Sequence, residues 1–287
     1  VFAPVTALWF AAIAAAGVRG ILMDPSVLAA LSPHYGIALI WELGPKTLIL
    51  LGAVVLVVTG AEALYADLGH FGPKPIRIAW YAAALPALLL NYFGQGAAIL
   101  VDPKAAERPF YALAPDHPVA QWGLIAIAAA AAVVASQALI TGAFSLTHQA
   151  MQLGYSPRVS IVHTSGAHSG QIYVPEVNFA LAAGCIGLAL GFGSSSAIAG
   201  AYGVSVTGTM LITTVLFYAV ARDRWKWSRL KARSVVGVFL VFDIAFLAAN
   251  LAKVDDGGWF TLVAAAAVYC VMSTWRRGRE RIADAAK

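Results

Sequence analysis

Apolar runs of about 20 residues, repeated along almost the whole chain, limit what this sequence can become. We count eight, at about 1–19, 46–66, 76–100, 119–147, 174–192, 197–220, 235–252 and 258–275. A soluble domain has too little interior for that much apolar surface. Of the 287 residues 60% are hydrophobic and 11% charged, and the mean hydropathy is +0.77. Hydrocarbon admits only segments that satisfy their own backbone hydrogen bonds, which leaves helices or a closed barrel. Barrel strands alternate in polarity over about ten residues, whereas these runs are continuous and rich in Ala and Leu. The expectation is an all-α polytopic membrane protein with about eight transmembrane helices over 1–275, followed by a basic segment at 276–287. An apolar run is already under way at Val1, with no initiator Met and no basic stretch before it, so we expect an interior piece of a longer chain.

Orientation follows from Lys and Arg. Alternate loops carry fourteen of them in one set, from Lys74 and Arg77 through Arg158 and the 222–233 turn to the 276–287 end. The other set carries five, Arg19, Lys46, Lys104, Arg108 and Lys253, mixed with acids. The first set is expected in the cytoplasm. Because the net charge of +5 is dispersed between apolar runs and forms no patch, nucleic acid is not expected as a partner; the lipid bilayer is. Cys185 and Cys270 lie inside apolar runs and read as small hydrophobes. Most tryptophans fall near predicted helix ends, as interfacial rings do.

The second run is the informative one. Only 15 uncharged residues separate Lys46 from Glu62, too few to span comfortably, so the helix is expected to include the acid. An acid at membrane depth faces a cavity or a partner and marks an ion or proton path. The alternative is that Glu62 sits near the cytoplasmic end and pairs with Lys74 or Arg77. Thr59 lies one helical turn before it on the same face, with Gly60 between. A glycine there allows local unwinding, which frees carbonyl groups to replace the hydration shell of a monovalent cation. The competing reading is a hydroxyl bonded to its own backbone. A proton or a neighbouring cation each relieve the cost of a buried carboxylate, a physical route to coupling the two.

Other polar residues read first as packing groups. Asn91 and Gln95 are spaced i, i+4, Ser136 and Gln137 lie in another run, and Gly200, Gly203 and Gly208 mark close approach of helices. Asp243 is a second membrane acid, for which a structural role is expected, and Glu176 is expected to snorkel or cap. His148, His163 and His168, with Ser165 and Ser169, match no metal or nucleophile motif, and no phosphate-binding loop is present, so no enzyme activity and no cofactor are expected.

TGAEALYADLGHFG, followed at once by KPIRIAWYAAALPALLLNYFGQGA, resembles the KUP/HAK/KT family of potassium uptake permeases. The likeness continues through ASQALITGAFSLTHQAMQLGYSPRVSIVHTS, GQIYVPEVNFAL and AYGVSVTGTMLITT to the GGW before the last run. It implies potassium import with proton symport, in the bacterial plasma membrane, on the LeuT-like fold of amino acid, polyamine and cation transporters. The eight runs would be helices five to twelve, with the first four helices and the C-terminal cytosolic region outside this chain. Thr59 and Glu62 then fall on the broken sixth helix, at the positions tied to cation binding and proton coupling. Potassium and the proton are the ions carried, further ligands come from the first and third helices, and a homodimer stays open. A passive potassium channel or an ion-sensing receptor on the same fold is the alternative. His148, Glu176 and Phe179 depart from the residues usual in the family, at positions that bear on loop packing.

Overall fold

The computed structural model describes residues 2–57, 59–60, 72–163, 172–252 and 254–285. Its longer helices are α1 Phe2–Met23, α2 Pro33–Leu43, α3 Thr47–Val57, α4 Pro73–Val101, α5 Pro118–Gln152, α6 Pro175–Phe192, α7 Ser195–Asp223, α8 Arg229–Leu251 and α9 Trp259–Ala285. Among the described residues, six helices are long and apolar enough to cross a membrane, or seven if Pro25–Leu31 and Pro33–Lys46, bent by 82°, count as one span. Each expected run has a helix under it, but of the eight expected spans α3, described for 11 residues, and α9, with its charged second half, are not among those six. For the second run, α3 is the described part, and residues 61–71 lie outside the described residues. Large apolar side chains point outward along these helices, Leu190 at 80% exposure among them, as suits a surface solvated by lipid.

Several boundaries differ from the hydropathy reading, each for a local reason. The fourth run, expected to end at 147, continues as α5 to Gln152 and stops where Gly154 takes φ +78°. At 35 residues α5 is roughly 50 Å long, more than the hydrocarbon layer requires. α9 runs ten residues beyond the apolar stretch to Ala285, because Arg, Glu and Ala are good helix formers even where they end a membrane span. Inside α4, residues Trp80–Ala84 form a π turn, with Leu85 N–H donating to the Trp80 carbonyl. Pro86 follows at once; lacking an N–H and crowding the carbonyl four residues back, it is accommodated by that wider turn. A two-residue antiparallel pair, β1 Val162–His163 and β2 Ile172–Tyr173, interrupts an otherwise helical fold.

Turns carry their own chemistry. Gly193, left-handed at φ +61°, closes α6, and Ser194 caps α7 by accepting from Ala197 N–H. Ser228 caps α8 in the same way through Lys231 N–H. Between α7 and α8, Arg222 donates to the Trp227 carbonyl while Lys231 Nζ sits 4.4 Å from the centre of the Trp227 ring. Asp24, ahead of the 3-10 segment Pro25–Leu31, accepts from Ser26, which holds its carboxyl below the usual range.

The described chain forms two compact units. In the first, Val1–Glu42 with Ala61–Gly142, the main contact is α1 against the second half of α4. Gly17 and Gly20 of α1 face Leu90 and Gly94 of α4 so closely that backbone meets backbone: a Cβ on Gly94 would lie 2.6 Å from the Gly17 carbonyl oxygen. Asn91 locks that seam, donating through Nδ2 to the Ile13 carbonyl at 3.2 Å and accepting from Gln95 Nε2 at 2.6 Å. Arg19 donates to the Leu113 carbonyl, and Trp9 stacks obliquely on Phe110. The second unit, Leu43–Gly60 with Ala143–Lys287, is built on α3, α7 and α8.

Substituting Gly94 with Leu should force α1 off α4 and cost about 3 kcal/mol or more of stability, read as a large fall in the melting temperature of detergent-purified protein. Gly184→Leu on α6, where nothing lies within 4 Å, should melt as the wild type does.

Candidate functional site

Three contacts tie α3, α7 and α8 into a closed triangle. Gly52 of α3 faces Ala249 of α8, where a Cβ would lie 3.1 Å from the alanine methyl. Next to Ala249, Asn250 is wholly buried and presses its Oδ1 into the place a side chain on Gly203 would occupy. Asn250 Nδ2 donates back to the Phe246 carbonyl. Its Oδ1 has no hydrogen-bond partner among the described residues, and the close Cα–H of Gly203 is its neighbour instead. Next to Gly203, Tyr202 closes the triangle by donating its phenolic OH to Thr59 Oγ1 at 3.1 Å.

Thr59 is where the helical backbone fails. α3 ends at Val57, Thr59 is half-buried, and Gly60 adopts φ +123°, a conformation open only to glycine without strain. The Thr59 hydroxyl donates in turn to the Leu56 carbonyl at 2.8 Å. A chain of three oxygens therefore runs from Tyr202 through Thr59 to the end of α3, where the last carbonyls of a helix carry partial negative charge. Such a set of neutral oxygens, with hydroxyl hydrogens free to turn away, can solvate a monovalent cation.

Glu62, the other residue singled out in the sequence, lies outside the described residues. Tyr202 was not legible as a site residue, because it stands in AIAGAYGVSVTGTM, a stretch whose small residues read as packing. A tyrosine flanked by Ala201 and Gly203 was the available signal. Asp243, two helical turns before Asn250 on the buried face of α8, is 5% exposed, and its Oδ2 has no hydrogen-bond partner among the described residues.

The remaining candidates are accounted for locally. Asn91 bonds across helices as expected, but Ser136 bonds within its own helix, to the Val133 carbonyl. His148 pairs with Gln152 at 3.2 Å. Glu176 stands in the first turn of its helix, and its Oε1 accepts from Ser160 N–H and so holds the preceding loop. His163 is in β1, while His168, Ser165 and Ser169 lie outside the described residues. Among the described residues no three His, Cys, Asp or Glu side chains are grouped to hold a metal.

The family described as the K+ potassium transporter integral membrane domain matches residues 1–280. Over 283 residues the chain is 58% identical to a "Probable potassium transport system protein Kup" of Anaeromyxobacter sp. (strain K), which covers 99% of this chain and 42% of the relative. Proteins of the same description from Myxococcus xanthus (strain DK1622) and Bdellovibrio bacteriovorus are 53% and 50% identical, over 99% and 98% of this chain and 43% and 42% of the relatives. The chain thus spans less than half the length of the curated relatives it matches. No solved structure matches it.

The Tyr202 to Thr59 bond should appear in a double-mutant cycle. Tyr202→Phe and Thr59→Val, alone and together, should show a coupling of about 0.5–1.5 kcal/mol in thermal unfolding; additive effects would mean that the two hydroxyls act independently.

Proposed function

We propose, from the premise that this chain belongs to the K+ potassium transporter integral membrane domain family, that it forms part of a secondary transporter importing potassium together with protons across the bacterial plasma membrane. The observation that carries the reading is the broken backbone at Thr59 and Gly60, with the Tyr202 and Thr59 hydroxyls gathered at the break. Irregular backbone at membrane depth is tolerated where it is buried in protein or lines a cavity. Discontinuous helices near the midplane are where secondary transporters place their ion sites.

In this reading Thr59 is a cation ligand. Potassium arriving at the break exchanges water for the Thr59 hydroxyl, for carbonyls at the end of α3 and for ligands on helices outside this chain. Glu62, three residues on, carries or senses the proton. A carboxylate held away from water meets the cost of its charge with a proton or with a nearby cation, and alternation between the two would link their movements. The driving force suffices for uptake from dilute medium. A membrane potential of about 100 mV is worth about 2.3 kcal/mol per charge, so two positive charges entering together gain about 4.6 kcal/mol. That corresponds to about three decades of accumulation.

Rubidium uptake at acidic and near-neutral pH, in cells without their own potassium uptake systems and carrying the full-length protein, tests this. Wild type should take up rubidium faster in acid, and Glu62→Gln, at matched expression, should lose uptake or its pH response. Thr59→Val should raise the half-saturating rubidium concentration by roughly tenfold, the equivalent of about 1.4 kcal/mol. Wild-type uptake that a protonophore leaves unchanged at fixed voltage would favour the passive channel; a Glu62→Gln protein indistinguishable from wild type at both pH values removes the acid from the mechanism.

A further inference from the structure

The basic end of α9 is built unlike the other helix ends. Its first 17 residues, Trp259–Trp275, carry no charge and would cover about 25 Å, close to the thickness of hydrocarbon, so a spanning α9 would bring Arg276 to headgroup level. Beyond that level an apolar stripe persists. Val271, Thr274, Trp275, Gly278 and Ile282 recur at three- and four-residue intervals on one face, and Ile282 is 72% exposed although it stands among Arg277, Arg279 and Arg281. Against this face, Pro157 from the turn after α5 closes one side of a groove of about 510 Å³, whose one charged lining residue is Arg279.

The turn and the helix are fastened together by two arginines. Arg276 donates to Glu280 at 2.9 Å and to the Tyr155 hydroxyl at 2.6 Å, and lies over the Tyr155 ring. The Arg279 guanidinium rests on Gly154, in the place a side chain there would fill, which only a glycine at φ +78° leaves open. Arg279 makes no hydrogen bond or ion pair among the described residues, nor do Arg277 and Arg281. The guanidinium is therefore held at the groove by packing alone, with its donors unspent.

We propose that this groove binds an anionic phospholipid, with one acyl chain along Cys270, Val271 and Trp275, the phosphate on Arg279 and Ile282 at the outer mouth. The two halves of the site call for the two halves of such a molecule. A fork of guanidinium donors matches phosphate oxygens, and a second positive field comes from Arg277 and Arg281. The uncharged half of the groove, from Cys270 to Trp275, matches an alkyl chain. An acidic peptide would satisfy the arginines and leave the Cys270 to Trp275 half of the groove empty.

Trp275 lines the groove and serves as the reporter. The full-length protein, in vesicles doped with phosphatidylglycerol or with phosphatidylcholine brominated on its acyl chains, is compared with its Trp275→Phe form to isolate the signal of that ring. The result expected is quenching of the Trp275 signal by brominated phosphatidylglycerol at about fivefold lower content than by phosphatidylcholine. Arg279→Gln should abolish the preference. Arg229→Gln, a basic residue at another helix end, should leave it intact. Ile282→Asp, which puts an anion at the mouth without touching the Arg279 to Gly154 contact, should also abolish it and serves if Arg279→Gln does not fold. Equal quenching by both lipids, a preference that survives both groove variants, or an equal loss in Arg229→Gln would overturn the proposal. So would a Trp275 signal that neither lipid reaches, which would mean that the groove is covered by protein.

Discussion

A peptide N–H or C=O in hydrocarbon has no water to bond, and each one left unpaired costs several kcal/mol. Everything else in this chain is arranged around that cost. It makes the apolar runs helical and confines departures from the helix to places where another group takes over. Pro86 is absorbed by a π turn in which Leu85 still finds the Trp80 carbonyl. Near the end of α3 a side-chain hydroxyl, that of Thr59, bonds to the Leu56 carbonyl. A break that is satisfied by hydroxyls differs from one healed by backbone, because hydroxyls can turn and release their acceptors to something else.

Lipid also removes the hydrophobic drive between helices, so contact must come from shape and from polar locks. Both units use the same pair of devices. Glycines bring backbones together, Gly17 on Gly94 in one unit and Gly203 on Asn250 in the other. A buried asparagine then fixes the register, Asn91 through the Ile13 carbonyl and Asn250 through its fit against Gly203. In a soluble core an acceptor such as Asn250 Oδ1, with no hydrogen bond among the described residues, would be a liability. Here it is pressed against a glycine Cα, the one backbone carbon whose hydrogens are uncovered, and the weak contact is repeated by the surrounding close packing.

Much of the fold was legible because hydropathy over about 20 residues is a strong signal and each run found its helix. What lay outside that signal was set by single residues. Gly154 ends α5 five residues past the expected limit, arginines extend α9, and Pro86 widens α4. The strand pair at 162–173 is two residues on each side, too short for any periodicity to register. For the site, Gly60 was readable as a point where the helix can open, and its backbone does depart from the helix, while the Thr59 hydroxyl makes the bond to its own helix that the competing reading gave. Tyr202 was not, since its partner is 143 residues away and only the packing of α7 on α3 brings the two together.

That packing gives Tyr202 its position. Consecutive residues on a helix project about 100° apart, so Tyr202 and Gly203 address two different neighbours, α3 and α8, and Ala249 and Asn250 of α8 address α3 and α7 in the same way. Two adjacent pairs thus define the three sides of the triangle. Because Gly203 receives Asn250 with no space to spare, α7 can neither slide nor rotate against α8 without a clash, and the Tyr202 hydroxyl is carried by the same residue pair. The angle at which the phenol reaches Thr59 is therefore set by the neighbouring contact of Gly203, which faces Asn250 of α8 and Leu56 of α3 together. A shift of α7 would carry the Tyr202 hydroxyl away from the break, whereas a shift of α8 would first meet α3 where Ala249 packs on Gly52. The oxygen set at Thr59 therefore depends on how α7 is packed against α3 and α8 together.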